Sequence, residues 1–244
     1  MEIAAGIYEI GVKSIGGYFK AGYTKAFLVD DGDGLYVIDT FYDDDAQLFL
    51  DEIAQIGRSP RDIKHILMTH GHRGHLGGLA TLKRLSGAPV YGHIWEADII
   101  AGERPMQNPS IFAFNPIQSW PITTIGQIMA PFNPFEGVPV DQLIDEGDQV
   151  GVMNVLHTPG HTPGHLSFYW PERKALFTGD SFVTWPKVVP GWKSTMLNEP
   201  QSWDSLRRMA TLDVEVIGPG HGDSITRDGG EVLRALGRGQ ASSQ

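Results

Sequence analysis

Thr69-His-Gly-His-Arg-Gly-His75 places three imidazoles within six residues. The stretch before it, Ile63 to Met68, reads as a buried-type strand. The stretch after it, Leu76 to Leu85, has apolar residues at helical spacing and predicts a helix. The histidines therefore occupy a strand-to-helix turn at the carboxyl end of a strand, where α/β proteins place their sites. Spacings of two and three residues let the rings converge, and Gly71 and Gly74 allow the backbone to bend. Imidazole is a favoured ligand for zinc and also suits iron.

Upstream, Ala26–Val29 and Leu35–Asp39 are predicted strands, and Asp31-Gly-Asp-Gly34 reads as the hairpin turn between them. Asp43 to Ile56 carries Leu48, Phe49, Ile53 and Ile56 at helical spacing, and Gly57 suits a C-terminal cap. Pro89–Tyr91 continues the strands. Strand and helix alternating at this spacing argues for an α/β fold. The last hundred residues return to strands at Val152–Leu156, Leu166–Tyr169, Ala175–Phe177 and Val214–Ile217, with helices at Pro200–Thr211 and Gly230–Leu236. We read a single domain over 1–236 and a frayed tail over 237–244.

Between these parts, about 102–137, the chain is apolar, poor in charge and broken by Pro105, Pro109, Pro116, Pro121, Pro131 and Pro134. A long irregular insertion in a compact domain is usually functional, as a lid or pocket wall. Packing on the core, or contact between subunits of a homo-oligomer, would use the same residues.

Three downstream segments repeat the pattern of a polar residue on a Gly- or Pro-rich loop just past an apolar strand. They carry His161 (Thr158-Pro-Gly-His-Thr-Pro-Gly-His165), Asp180 (Thr178-Gly-Asp180) and His221 (Gly218-Pro-Gly-His-Gly222). Four such loops could meet at one edge of a sandwich. Turn and capping duties would explain one such loop; they are a poor account of all four. His65, His93, His157 and His165 stay unassigned, with a structural role expected for His165.

Composition removes other classes of function. The 244 residues carry a formal net charge of −10, so polyanions are repelled, and neither nucleic acid nor an anionic membrane is expected as a partner. There is no cysteine, hence no disulfide, thiol nucleophile or thiolate ligand. The N-terminus lacks the basic and apolar regions of a signal peptide, and no apolar run reaches the ~18 residues of a membrane span. A cytoplasmic protein acting on a small molecule is expected.

Taken as a set, these motifs resemble those of the metallo-β-lactamase superfamily, His-X-His-X-Asp-His followed by His, Asp and His, from about Phe27 to His221. The resemblance implies a four-layer αβ/βα sandwich with one or two metal ions, zinc above all, at one edge. It implies that His70, His72 and His161 hold a first ion, that His75 and His221 help hold a second, and that Asp180 bridges them. Asp39 resembles the family's carboxylate that orients a ligand imidazole. Asp at position 180 is similar to the glyoxalase II and lactonase branches rather than to antibiotic-cleaving members, although the long C-terminal helical domain of glyoxalase II proper is not found.

One position departs from the motif: Gly74 stands where the family has Asp. The site could work with one ion or a weakened second one, recruit a carboxylate from elsewhere such as Asp223, or be catalytically impaired. Three neutral imidazoles with an open position suffice for a catalytic zinc. The implied reaction is attack of metal-activated hydroxide on an ester, thioester, lactone or amide carbonyl, with Asp180 helping to hold metal and nucleophile. Trp185 and Trp192 would suit an apolar acyl group, or simply belong to the core. The alternative is a mononuclear iron site of His70, His161 and Asp180, as in persulfide dioxygenases of this fold; a further alternative is a non-catalytic binding protein.

Overall fold

A computed structural model describes residues 1–11, 24–106, 135–185, 187–193 and 195–241, with 239–241 described by backbone alone. Two sheets carry the molecule. The first orders its strands as they occur in the chain: β1 (Glu2–Ala4), β2 (Ile7–Ile10), β3 (Ala26–Asp30), β4 (Leu35–Ile38), β5 (Ile63–Leu67), β6 (Val90–Gly92) and β7 (Gln142–Leu143). It is antiparallel as far as β4 and parallel from there. The second sheet comprises β8 (Gln149–Val150), β9 (Met153–His157), β10 (Leu166–Trp170), β11 (Ala175–Gly179) and β12 (Val216–Pro219), with β11 and β12 parallel.

The strand sequences are apolar on both faces because both faces are covered. Side chains alternate across a strand, so Leu28, Leu35 and Val37 face one way, onto Phe49 and Ile53 of α1 (Gln47–Gln55) and Leu79 and Leu82 of α3 (Leu79–Ser86). Their neighbours Phe27, Val29, Tyr36 and Ile38 face the other way and meet Val155, Phe168, Trp170 and Phe177 of the second sheet. The rings of Phe27 and Phe177 lie 5.1 Å apart there. On the far side Tyr169, Leu176 and Ile217 pack on Leu206 and Met209 of α5 (Glu199–Met209) and Leu233 of α6 (Gly229–Ala241). Helices, sheet, sheet and helices make the expected αβ/βα sandwich. None of the helices among the described residues is long and apolar enough to cross a membrane.

Several boundaries differ from expectation. The helix expected over Leu76–Leu85 is divided into α2 (Arg73–Leu76) and α3. The Gly77 and Gly78 N–H groups are taken by the carbonyls of Phe41 and Thr40, at 2.9 and 3.1 Å. A Cβ on Gly77 would lie 2.3 Å from the Tyr42 oxygen, so only glycine lets these two segments touch. The same contact delays the helix expected from Asp43: the chain turns at Phe41 and Ala46, both with positive φ, and α1 starts at Gln47. The hairpin of β1 and β2 had no counterpart in the sequence reading. Strand β12 sits two residues later than expected, and α6 runs to Ala241, past Gly237 where a frayed tail was expected. Residues 107–134, most of the Pro-rich insertion, lie outside the described residues, and with them the lid and subunit-contact readings.

Candidate metal centre

The four loops converge at one edge of the two sheets. His70, His72 and His75 follow β5, His161 follows β9, Asp180 directly follows β11 and His221 follows β12. His70 is fully buried and Asp180 is 5 % exposed. The His70 ring centroid lies 4.6 Å from that of His72, 4.4 Å from His75 and 4.8 Å from His161. His72 Nδ1 and His161 Nε2 are 2.9 Å apart.

Asp180 sits among these rings. Its Oδ2 is 3.9 Å from His70 Nε2, 3.4 Å from His161 Nε2 and 3.2 Å from His221 Nε2, and its Oδ1 is 3.4 Å from His75 Nε2. Two ligand groups result, His70–His72–His161–Asp180 and His75–Asp180–His221, sharing the aspartate.

A hydrogen-bond chain behind the rings sets their tautomers. Asp39, just past β4, accepts from the Thr69 N–H (2.8 Å), the Thr69 hydroxyl (2.7 Å) and His75 Nδ1 (2.8 Å). With its own proton given to Asp39, the Thr69 hydroxyl accepts from His70 Nδ1 at 2.9 Å. Both rings therefore turn Nε2 toward Asp180. His165 fixes the aspartate from behind: its Nε2 accepts the Asp180 N–H at 3.0 Å, leaving Nδ1–H for Thr158 Oγ1 at 2.9 Å.

The electrostatics follow from burial and neighbours. Burial lowers the pKa of His70, His161 and His165, the last to about 3, and holds them neutral. Burial acts the same way on His75, but the Asp39 and Asp180 carboxylates overcome it and raise that ring to about 10. Burial would raise Asp180, yet His221, His75 and His161 hold it well below the usual carboxylate range.

Does this cluster fit a metal ion? Ligands about 2.0–2.1 Å from a tetrahedral ion stand about 3.4 Å apart, and the separations here run from 2.9 to 3.9 Å. His70 Nε2 and Asp180 Oδ1 are buried with no hydrogen-bond partner among the described residues. Buried polar atoms are rarely left so; a cation facing them would satisfy both. The residues fit a divalent ion.

The remaining histidines stand apart. The His65 ring lies against Tyr36 and bonds the Tyr91 hydroxyl. His93 and His157 stack at 4.7 Å beside Asp145, which forms a further group with them. In that group His93 Nδ1 accepts the Trp95 N–H, so its proton sits on Nε2, 3.5 Å from Asp145. Asp223 is exposed and belongs to none of the groups, so it does not replace the carboxylate absent at Gly74. Trp192 packs its ring 4.5 Å from His221 and donates Nε1–H to the Trp185 carbonyl. Glu96 is a buried carboxylate that no motif announces; it is one of two acids, with Asp98, in the otherwise apolar run Ile94-Trp-Glu-Ala-Asp-Ile-Ile100.

Known proteins share this fold. Among similar sequences, the "Probable metallo-hydrolase YybB" of Bacillus subtilis is 29 % identical over 158 residues, covering 65 % of this chain and 61 % of that protein. The hydroxyacylglutathione hydrolase of Rhodospirillum rubrum is 26 % identical over 161 residues, covering 64 % of this chain and 46 % of that one. The matched region thus spans between about half and three-fifths of these relatives. A crystal structure of a metallo-beta-lactamase family protein from Thermus thermophilus superposes with a TM-score of 0.65 at 23 % identity, covering 99 % of this chain and 80 % of that one, a likeness of fold. The sequence profile described as "Metallo-beta-lactamase superfamily" matches residues 20–221, ending on the last of the clustered histidines, and the chain belongs to that superfamily.

Proposed function

We propose that this protein is a metal-dependent hydrolase that cleaves an ester, thioester, lactone or amide carbonyl of a small substrate with an apolar acyl part. The observation that carries this reading is Asp180. Both its oxygens lie among imidazoles of the two ligand groups, and it is held ionised there. His70, His72, His161 and Asp180 would hold a first ion; His75 and His221, sharing Asp180, would hold a second more weakly because Gly74 contributes no oxygen. A divalent ion in such a site, zinc by the donor set, supplies Lewis acidity and lowers the pKa of a water it binds from about 15.7 to about 7.

The protein's own part is to aim the imidazoles of His70 and His75 through Asp39 and Thr69, to keep His70 and His161 neutral by burial, and to fix the Asp180 backbone through His165. Trp192 beside His221 offers an apolar wall for the acyl group. Thioester cleavage is favoured within this set by the hydroxyacylglutathione hydrolase relative. A mononuclear iron oxygenase would need only His70, His161 and Asp180; His72 at 2.9 Å from His161 adds a third imidazole that such a site does not use.

Elemental analysis of the isolated protein, with turnover measured on ester, thioester and lactone panels before and after chelation, tests the reading. We expect zinc at one to two equivalents and hydrolysis that is lost on chelation and restored by zinc. Stoichiometric iron with oxygen uptake, or no metal and no turnover after metal addition, would overturn it.

A further inference from the structure

We propose that Glu96 is a positioning residue of the metal centre: its buried carboxylate ties the loop of His70 and His72 to the loop of His161 by accepting one backbone N–H from each. This rests on the metal centre proposed above, and not on its reaction.

Glu96 lies in the first turn of α4 (Ile94–Ile100) and is 1 % exposed. Its Oε2 accepts the Gly71 N–H at 3.0 Å and its Oε1 the Gly164 N–H at 3.1 Å. Gly71 stands between His70 and His72; Gly164 stands between His161 and His165. One carboxylate therefore joins the ligand loop of the first sheet to that of the second. Charge-assisted bonds of this kind are about twice as strong as neutral ones.

Both partners are glycines for a steric reason. A Cβ on Gly164 would lie 2.8 Å from Glu96 Cγ and from His93 Nδ1. A Cβ on Gly71 would lie 2.7 Å from Ile99 Cγ2, one turn further along the same helix. Both loops are thus pressed against α4 where only glycine fits.

The helix is itself anchored at this point. His93 caps it by accepting the Trp95 N–H at 3.1 Å, and the His93 ring stacks on that of His157 with its Nε2 3.5 Å from Asp145. Burial pushes the Glu96 pKa above its ordinary value, and the Thr162 hydroxyl and the two N–H groups pull against that. Nothing else in the chemistry of the site calls for a carboxylate here, since neither oxygen reaches a ligand side chain; its role is to set the distance between loops.

The test is zinc affinity, by competition with a chromogenic chelator, for wild type, Glu96→Gln and Glu96→Ala, with melting temperatures of the metal-free and zinc-loaded forms. A Gln carbonyl can keep one N–H while its amide NH2 confronts the other; Ala keeps neither. We expect zinc affinity about 10–100-fold weaker, more so for Ala than for Gln, and a smaller zinc-induced rise in melting temperature. If Ala does not fold, Gln alone carries the test. Wild-type affinity in Glu96→Gln, with both melting temperatures lowered equally, would overturn the inference and leave Glu96 a structural acid. A wild-type protein that binds no zinc would instead overturn the metal centre itself.

Discussion

Replacing Asp39 by Asn changes one oxygen to NH2 and should disturb two metal ligands, His70 and His75, from a position outside the ligand set. Asp39 has φ +55, a left-handed conformation that Asn tolerates well, so the backbone need not move. The amide oxygen is needed by the Thr69 N–H, which places the NH2 opposite the Thr69 hydroxyl and His75 Nδ1. His75 can then avoid a donor–donor clash only by carrying its proton on Nε2, where it faces Asp180 and cannot ligate. The Thr69 hydroxyl, turned to accept from the new NH2, donates toward His70 Nδ1 and inverts that ring as well. Loss of such outer partners weakens metal binding by about 10–100-fold. In the metal-free protein the bond from His75, held cationic by Asp39 and Asp180, is lost, at about 1.5–3 kcal/mol for a bond to a charged group. In a domain of this size that is a fall of about 3–12 °C in melting temperature. Chelator competition and thermal melts with and without metal measure both effects. Wild-type zinc affinity in Asp39→Asn would refute the argument that Asp39 sets the tautomers.

Three further outcomes follow from the geometry. Gly74→Asp should raise bound metal toward two equivalents or tighten the weaker ion at least tenfold: Gly74 is in α2 without positive φ, and its Cβ would meet nothing closer than Thr24 Oγ1 at 3.3 Å. Its metal-free stability should stay within about 1 kcal/mol, since the helix gains from losing a glycine; unchanged metal content would show that the missing carboxylate does not matter. Gly220→Ala should lose metal and about 1–3 kcal/mol of stability, because its Cβ would lie 2.2 Å from Asp180 Oδ1; retained metal in that variant would show that Asp180 is free to move aside. Burial would raise the Asp30 pKa, but the two-pronged contact from Arg58 at 2.6 and 2.8 Å lowers it. A lowered carboxyl stabilises above its unfolded pKa of about 3.9, and this is lost as pH falls through the folded value. Asp30→Asn should thus cost about 0.5–1 kcal/mol at pH 7, a gap in urea midpoints that narrows as pH falls below the unfolded value and closes once Asp30 is protonated in the folded protein; a gap independent of pH would count against the ion pair.

The layers and the ligand loops were legible because each rests on local pattern. Ala26–Asp30 and Leu166–Trp170 are apolar on both faces, which betrays coverage from both sides. His70, His161, Asp180 and His221 each follow such a strand on a loop rich in glycine or proline. What was not legible depends on contacts between distant segments. Gly77 and Gly78 break a helix only because Thr40 and Phe41 lie against them. Glu96 bonds backbone N–H groups, which carry no side-chain signature, and one of them belongs to residue 164. Asp39 was readable as a partner of a ligand only by likeness to the family; that it acts on His70 through Thr69 needed coordinates.

The six site residues are divided between the two halves of the chain in a way that bears on when the ion can enter. As the chain is made, three imidazoles emerge together on the turn after β5, while the shared carboxylate and His221 follow only when the second sheet is nearly complete. Closing so long a loop costs only slightly more entropy than closing a short one, so docking of the sheets is little hindered by the separation. The early histidines complete neither ligand group: His161 and Asp180 of the first and Asp180 and His221 of the second come from the later half. Neither group is whole until the two sheets dock, so an ion held by either would report that both halves have been assembled against each other.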